Sequence, residues 1–331
     1  MYKRQVGRFD IETGELHDSG DCFSAKMGES LSRLADNDGR IIGITAAMSS
    51  GTGMDVFSAA HPDRFFDVGI AEGHAVSMAG GMAKQGMVPV FAVYSSFLQR
   101  GYDMLIHDVA LQNLHVVFCV DRAGLVGSDG ETHHGVFDIS YLSSVPDMTV
   151  LCPASYAELE TMLRAAIYDI NGSVAIRYPR GGEGKYTVCN TAPETLLREG
   201  RDVTLVCYGI MTNEVLDAAE RLAAEGISAE VIKLSRIKPP DFDLVMRSLR
   251  KTGKLLISED VCEAGCVGSR ILEEAAINEI HVRAAKLLNL GEGIVPHGTV
   301  AELLHDFGLD ADGIVSAAME MMDKDLSLIH I

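Results

Sequence analysis

The chain has 331 residues, 47% of them hydrophobic and 23% charged, with a formal net charge of −19. That length exceeds one ordinary core and predicts two domains, while the acidic balance argues against any surface for phosphate backbones and so against nucleic acid as a partner. No apolar run reaches membrane-spanning length and no secretory leader is read, so no membrane association is expected and the expected compartment is the cytoplasm.

A helix over about 24–36 precedes the buried strand "RIIGIT" (40–45). A helix from His74 to Gln85 leads into "VPVFAV" (88–93), and one over about 97–111 into "HVVFCV" (115–120). "MTVLCP" and "VAIRYP" flank a helix at about 155–169. Continuous Val/Ile runs bounded by helices predict parallel strands covered on both faces, a doubly wound α/β layer. Gly, Pro and polar residues break the alternation in "RGGEGKYTVCNTAPETLLREG" (180–200). The first domain is therefore set at 20–182 and the linker at 183–200. The pattern then restarts with "VTLVCYG", a helix at 212–225, "SAEVIKL", a helix at 241–250, "KLLISED" and a helix at 265–279. A weak "VRAAKLLNL" segment and helices near 298–306 and 311–322 close a second, smaller α/β domain at 201–323. The seven cysteines are odd in number and scattered, which predicts reduced thiols; Cys262 and Cys266, in "CEAGC", read as packing residues, and no metal site is predicted.

Open α/β sheets bind ligands at the C-terminal ends of their strands. "TAAMSSGTG", "YSSFLQR", "DRAGLVGSDGETHHG" and "RYPRGG" all follow strands and converge on one edge, carrying Tyr94, Arg100, Arg122, Asp129, His133, His134, Arg177 and Arg180. Arg100, Arg122 and Arg180 suit an anionic small substrate, with surface ion pairs as the plainer reading. His133 and His134, with Asp129 in a glycine-bracketed loop, are candidates for moving protons, or are simply solvated. "SSGTG" is a weak anion-binding turn, and neither a Rossmann nor a P-loop fingerprint occurs. Glu72, in "DVGIAEGHA", sits between a strand-like run and a small-residue helix; it reads equally as an acid favoured by a helix start and as one aimed at a ligand.

The stretch from Phe65 to Gly182 resembles the pyrimidine-binding domain of the 1-deoxy-D-xylulose-5-phosphate synthases, thiamine diphosphate enzymes of the transketolase superfamily. The resemblance rests on "RFFDVGIAEGHAV", "YSSFLQRGYDMLIHDVALQN", "DRAGLVGSDGETHHGVFD" and "RYPRG", with "ITAAMSSGTG" upstream. "ISEDVCEAGCVGS" and "IVPHGT" resemble the family's C-terminal domain, so that the likeness covers about residues 6–323. Gly73, Ser96 and His134 depart from the family's usual Gln, Thr and Gln.

The resemblance implies two doubly wound units, a mostly parallel thiamine pyrimidine-binding domain and a smaller transketolase C-terminal-like domain. It implies that Glu72 meets N1′ of the cofactor's aminopyrimidine, that Phe97 stacks on that ring and that Ile70 touches it. Tyr94, Arg122 and Arg180 are then the phosphate-holding residues for glyceraldehyde 3-phosphate. Arg100 lies near the pyruvate-derived group, Asp129 and His133 handle the acceptor and its protons, and His74 and His107 are structural. The implied reaction joins pyruvate to glyceraldehyde 3-phosphate with loss of carbon dioxide, for isoprenoid and thiamine precursors. The cofactors implied are thiamine diphosphate and Mg²⁺, the metal's ligands being expected on a diphosphate-binding domain whose "GDG…N" signature is not found here. The expected chain is therefore a truncated synthase, inactive alone, or one subunit of a split enzyme, working as a homodimer or with a diphosphate-domain partner chain. The ends "MYKRQ" and "SLIHI" look adapter-derived and favour truncation. Rival readings are a transketolase, the β-type subunit of a 2-oxo acid dehydrogenase, and a non-catalytic scaffold.

Overall fold

A computed structural model describes residues 21–328; "MYKRQ" and the last three residues of "SLIHI" lie outside it. The first unit runs α1 (Phe23–Ala35), β1 (Ile41–Thr45), α2 (Met54–Ala60), β2 (Phe65–Asp67), α3 (Glu72–Lys84), β3 (Val88–Tyr94), α4 (Ser95–Leu98) and α5 (Tyr102–Met104). It continues with β4 (Val117–Asp121), α6 (Asp138–Ser144), β5 (Thr149–Leu151), α7 (Tyr156–Tyr168) and β6 (Val174–Arg177). The second unit runs β7 (Glu194–Arg198), β8 (Val203–Tyr208), α8 (Thr212–Ala224), β9 (Ala229–Leu234), β10 (Arg236–Lys238) and α9 (Asp243–Thr252). It ends with β11 (Lys254–Ser258), α10 (Val267–Ile277), β12 (Ala284–Leu288), α11 (Val300–Asp306) and α12 (Ala311–Leu328).

Two sheets form, in the orders β10-β5-β6-β4-β3-β1-β2 and β12-β11-β8-β9-β7. Their inner strands pair in parallel and are buried, save Tyr94 at the end of β3, as the continuous apolar runs require. Helices cover both faces; α1, for example, turns Phe23, Met27 and Leu31 into the core at helical spacing. One apolar cluster passes through both units, from Phe91, Phe118 and Leu142 to Val206, Leu255 and Ile271, so the two layers share a core across their seam. No described helix is long and apolar enough to cross a membrane.

Three local expectations need correction. The 183–200 segment, expected as linker, holds β7, an antiparallel edge strand on β9 that begins directly after Pro193. Its Gly and Pro content masked it, yet a sheet edge tolerates proline at a strand start. The antiparallel strand β10, although in the second unit's sequence, adds to β5 and so belongs to the first sheet. The single helix expected at 97–111 is broken: a tight turn at Gln99–Gly101 follows α4, and a wide π-helical turn at Leu105–Val109 follows α5. That turn lies close under α3, where a Cβ on Gly80 would come within 2.8 Å of the Asp108 carbonyl oxygen, and Ser77 donates to the Asp108 carboxylate.

The seam also contains buried charge. Arg177, 4% exposed, donates through Nε to both Asp138 oxygens at 2.9 Å and through Nη2 to Asp260 Oδ1 at 2.9 Å. Lys233 donates to Glu158 Oε1 at 2.7 Å, with both side chains fully buried. Such pairs fix geometry more than they add stability, but removing one member leaves an uncompensated charge.

Candidate active site

Glu72 is the first residue of α3, where the positive end of the helix dipole favours a carboxylate. Its backbone turns inward and the residue is 2% exposed. Oε1 accepts from Arg100 Nη1 at 2.6 Å, and no hydrogen bond from the described residues reaches Oε2. Gly73, which follows it, lets α3 approach α5: a Cβ there would meet the Met104 methyl carbon at 2.9 Å. Ile70, two residues before Glu72, is 81% exposed beside this buried acid.

The Arg100 guanidinium also lies 4.9 Å from the Phe97 ring centroid, so Glu72 and Phe97 flank one cation. Phe97 stacks on Tyr94, with centroids 5.6 Å apart at 25°, and meets His133 edge-on at 5.1 Å. On Tyr94 sits the Arg122 guanidinium, 3.8 Å from the ring centroid. Arg122 donates through Nη1 to the Gly51 carbonyl at 2.7 Å and to Asp121 Oδ1 at 3.0 Å. Its Nε lies 3.5 Å from Asp129 Oδ2, and the same oxygen is 3.1 Å from Arg180 Nε. Arg180 also donates through Nη1 to Ser128 Oγ at 2.9 Å and to the Val126 carbonyl at 3.2 Å. A continuous chain of contacts therefore runs from Glu72 through Arg100, Phe97, Tyr94, Arg122 and Asp129 to Arg180.

The ends of β3, β4 and β6 deliver these groups to one edge, and the loop after β1 supplies Gly51. Backbone strain marks the same place. Arg122 leaves β4 with φ 58°, a left-handed conformation uncommon for a side-chain-bearing residue. Gly124, at φ 72°, packs so closely that a Cβ would fall 1.7 Å from Asp260 Oδ2. Burial pushes the Asp121 carboxyl up to about 6, against the pull of Arg122 and of Ser24, whose hydroxyl donates to it at 2.6 Å. Burial likewise raises the Tyr94 phenol above its usual value.

The structure thus brings together Glu72, Tyr94, Phe97, Arg100, Arg122, Asp129, His133 and Arg180, and leaves Ile70 exposed at the rim. It separates two residues that the strand-end rule grouped with them. Arg177 turns away into the seam between the units, where it pairs with Asp138 and Asp260 and lies 5.7 Å from the Tyr208 ring centroid. His134 is 4% exposed and bonded on both ring nitrogens, unlike its half-exposed neighbour His133. His74 is exposed, and His107 pairs at the surface with Asp103 at 3.0 Å. Asp121, Asp138 and Asp260 were missed; Asp121, next to Arg122 at a strand end, carried the one local signal that could have found it.

Comparisons with known proteins agree with the two-unit fold. The family described as "Transketolase, pyrimidine binding domain" matches residues 23–183, and "Transketolase, C-terminal domain" matches residues 194–314. A 1-deoxy-D-xylulose-5-phosphate synthase of Heliobacterium modesticaldum is 44% identical, across 98% of this chain and 51% of its own length. That of Chlorobaculum tepidum is 45% identical, across 95% of this chain and 51% of its own length. The chain spans about half the length of the curated relatives it matches. A solved structure titled "Split gene transketolase, inactive beta4 tetramer" superposes with a TM-score of 0.81 at 29% identity, covering 91% of this chain and 98% of that one.

Proposed function

Because the chain belongs to the transketolase family, with that family's pyrimidine-binding and C-terminal domains, we propose that it supplies the pyrimidine half of a thiamine diphosphate site. The enzyme it serves condenses pyruvate with D-glyceraldehyde 3-phosphate to give 1-deoxy-D-xylulose 5-phosphate and carbon dioxide, for isoprenoid precursors. The observation that carries this reading is Glu72: a carboxylate 2% exposed, with one oxygen on Arg100 and the other without a hydrogen-bond partner among the described residues. An acceptor that no protein donor occupies can take one from a ligand, and a protonated ring nitrogen is such a donor. The residues present therefore fit the aminopyrimidine.

Bound thiamine diphosphate supplies a nucleophilic thiazolium C2 and takes up the electron pair released with carbon dioxide. Glu72 holds the proton at N1′, which sets the tautomer of the ring. Phe97 offers a face for stacking, and the exposed Ile70 adds apolar contact. Arg100 orients Glu72 through the hydrogen bond to Oε1. Arg122 and Arg180 take the phosphate of the aldehyde, with Tyr94 as the platform under Arg122. His133 and Asp129 stand beside that platform to serve the aldehyde oxygen. The Mg²⁺ ligands belong to a diphosphate-binding domain, supplied by a longer form of the chain or by a second chain, in a homodimer or a mixed assembly. The synthase reading is favoured over a transketolase by identity, 44–45% against 29%.

The test is to mix the chain with a separately expressed diphosphate-binding domain, the cofactor and Mg²⁺. Carbon dioxide release from pyruvate that depends on glyceraldehyde 3-phosphate is expected. Two-carbon transfer from a ketose phosphate without pyruvate would point to a transketolase, and no activity with either donor to a scaffold.

A further inference from the structure

We propose that His134 is a positioning residue: its neutral imidazole ties the loop bearing Arg122, Asp129 and His133 to the C-terminal unit, and a proton on it releases that loop. The loop leaves β4 and folds back on itself, with the Gly124 and Gly135 amides exchanging hydrogen bonds with each other's carbonyls at 2.9 and 2.8 Å. Inside this hairpin, His134 Nδ1 lies 3.2 Å from the Val126 amide nitrogen and Nε2 lies 3.2 Å from the Pro296 carbonyl oxygen. Both partners have fixed roles, because a backbone N–H only donates and a backbone carbonyl only accepts. The ring must therefore accept at Nδ1 and donate at Nε2, which a single neutral tautomer does. A cation would set an N–H against the Val126 N–H.

The relay continues from His134 to the phosphate-holding group. The carbonyl of the same Val126 accepts from Arg180 Nη1 at 3.2 Å. One residue, Val126, thus links His134 to Arg180 through the peptide groups on either side of its Cα, while Pro296 lies in the segment leading to α11 of the other unit. The charged and titratable groups facing the ring are Glu131 and His133 on its own loop, His297 beside Pro296, and Arg180 through Val126. Burial holds the imidazole below its usual value, against the opposing pull of the Pro296 carbonyl. The sign follows: above the free histidine value near 6.5 the neutral ring stabilises the folded loop, and as pH falls below it the released loop takes the proton first, so the tie weakens.

This inference rests on the proposed function only for what the loop does in turnover; its test needs neither cofactor nor substrate. Amide hydrogen exchange of the chain, corrected for intrinsic rates, is read at Val126 and along residues 122–135 at pH 7.5 and 5.5. In the parent, protection at Val126 should fall over that interval, by at most about tenfold. His134→Gln presents an acceptor and a donor that do not titrate, and should keep its protection at both values. His134→Ala should leave Val126 unprotected at both; should it fail to fold, the glutamine variant still decides. Parent protection that ignores pH, or a glutamine variant that loses it as the parent does, overturns the proposal. Weaker binding of sulfate, which stays doubly charged across this interval, by the parent at pH 5.5 but not by His134→Gln would support the link to Arg180; equal weakening in both would overturn it.

Discussion

Arg100 Nη1 donates to Glu72 Oε1 across 2.6 Å, joining a side chain that is 55% exposed to one that is 3% exposed. A short contact of this kind orients the carboxylate without occupying both its oxygens. The buried acid is thereby ready for a second donor. The same guanidinium leans on Phe97, so the group that orients the acid also fixes the ring beside it.

Arg180→Ala should raise KM for glyceraldehyde 3-phosphate by about 10- to 100-fold in the assembled enzyme, the size of a lost hydrogen bond to a charged group. KM for pyruvate should change little. Steady-state kinetics with each substrate varied in turn checks this; an unchanged aldehyde KM with a raised pyruvate KM would reverse the assignment.

Asp129 places one oxygen between two guanidiniums, 3.5 Å from Arg122 Nε and 3.1 Å from Arg180 Nε. It therefore competes with any incoming phosphate for the same cations. Asp129→Asn should tighten the binding of inorganic phosphate several-fold at low ionic strength, as measured by titration calorimetry. Weaker binding would mean that the carboxylate builds the site rather than guards it.

Arg177→Met should lower stability by about 3–5 kcal/mol, because Asp138 and Asp260 are left buried without their cation. Urea denaturation measures the loss. A change below about 1 kcal/mol would show that the two acids are neutral in the fold.

Asp121 predicts a pH effect of the opposite sign to that of His134. Its folded-state value of about 6 lies above the unfolded 3.8, so between these values the folded chain binds the extra proton. Its contribution to stability is therefore present below about pH 4 and lost as pH rises through about 6. Asp121→Asn should flatten that part of the stability profile relative to the parent. Parallel profiles for the two chains from pH 4 to 7 would contradict the raised value.

Local pattern carried the strands of both sheets, because buried parallel strands read as Val/Ile runs such as "HVVFCV". The strand-end rule carried Tyr94, Arg122 and Arg180 to one edge. It could not separate Arg180 from Arg177, since what distinguishes them, Asp138 and Asp260, is supplied by distant segments. Nor could it tell His133 from His134, adjacent in sequence but facing the site and the seam respectively. The edge strands were hidden by other means: β7 begins directly after Pro193 in a Gly- and Pro-bearing stretch, and β10 is three residues held by pairing with the distant β5.

The most direct measurement is the rate of proton exchange at C2 of thiamine diphosphate, followed by NMR in the assembled enzyme with Glu72 or with Glu72→Gln. The account predicts that the substitution slows exchange on the order of 100-fold or more while the melting temperature stays within a few degrees. Exchange as fast as in the parent would contradict it.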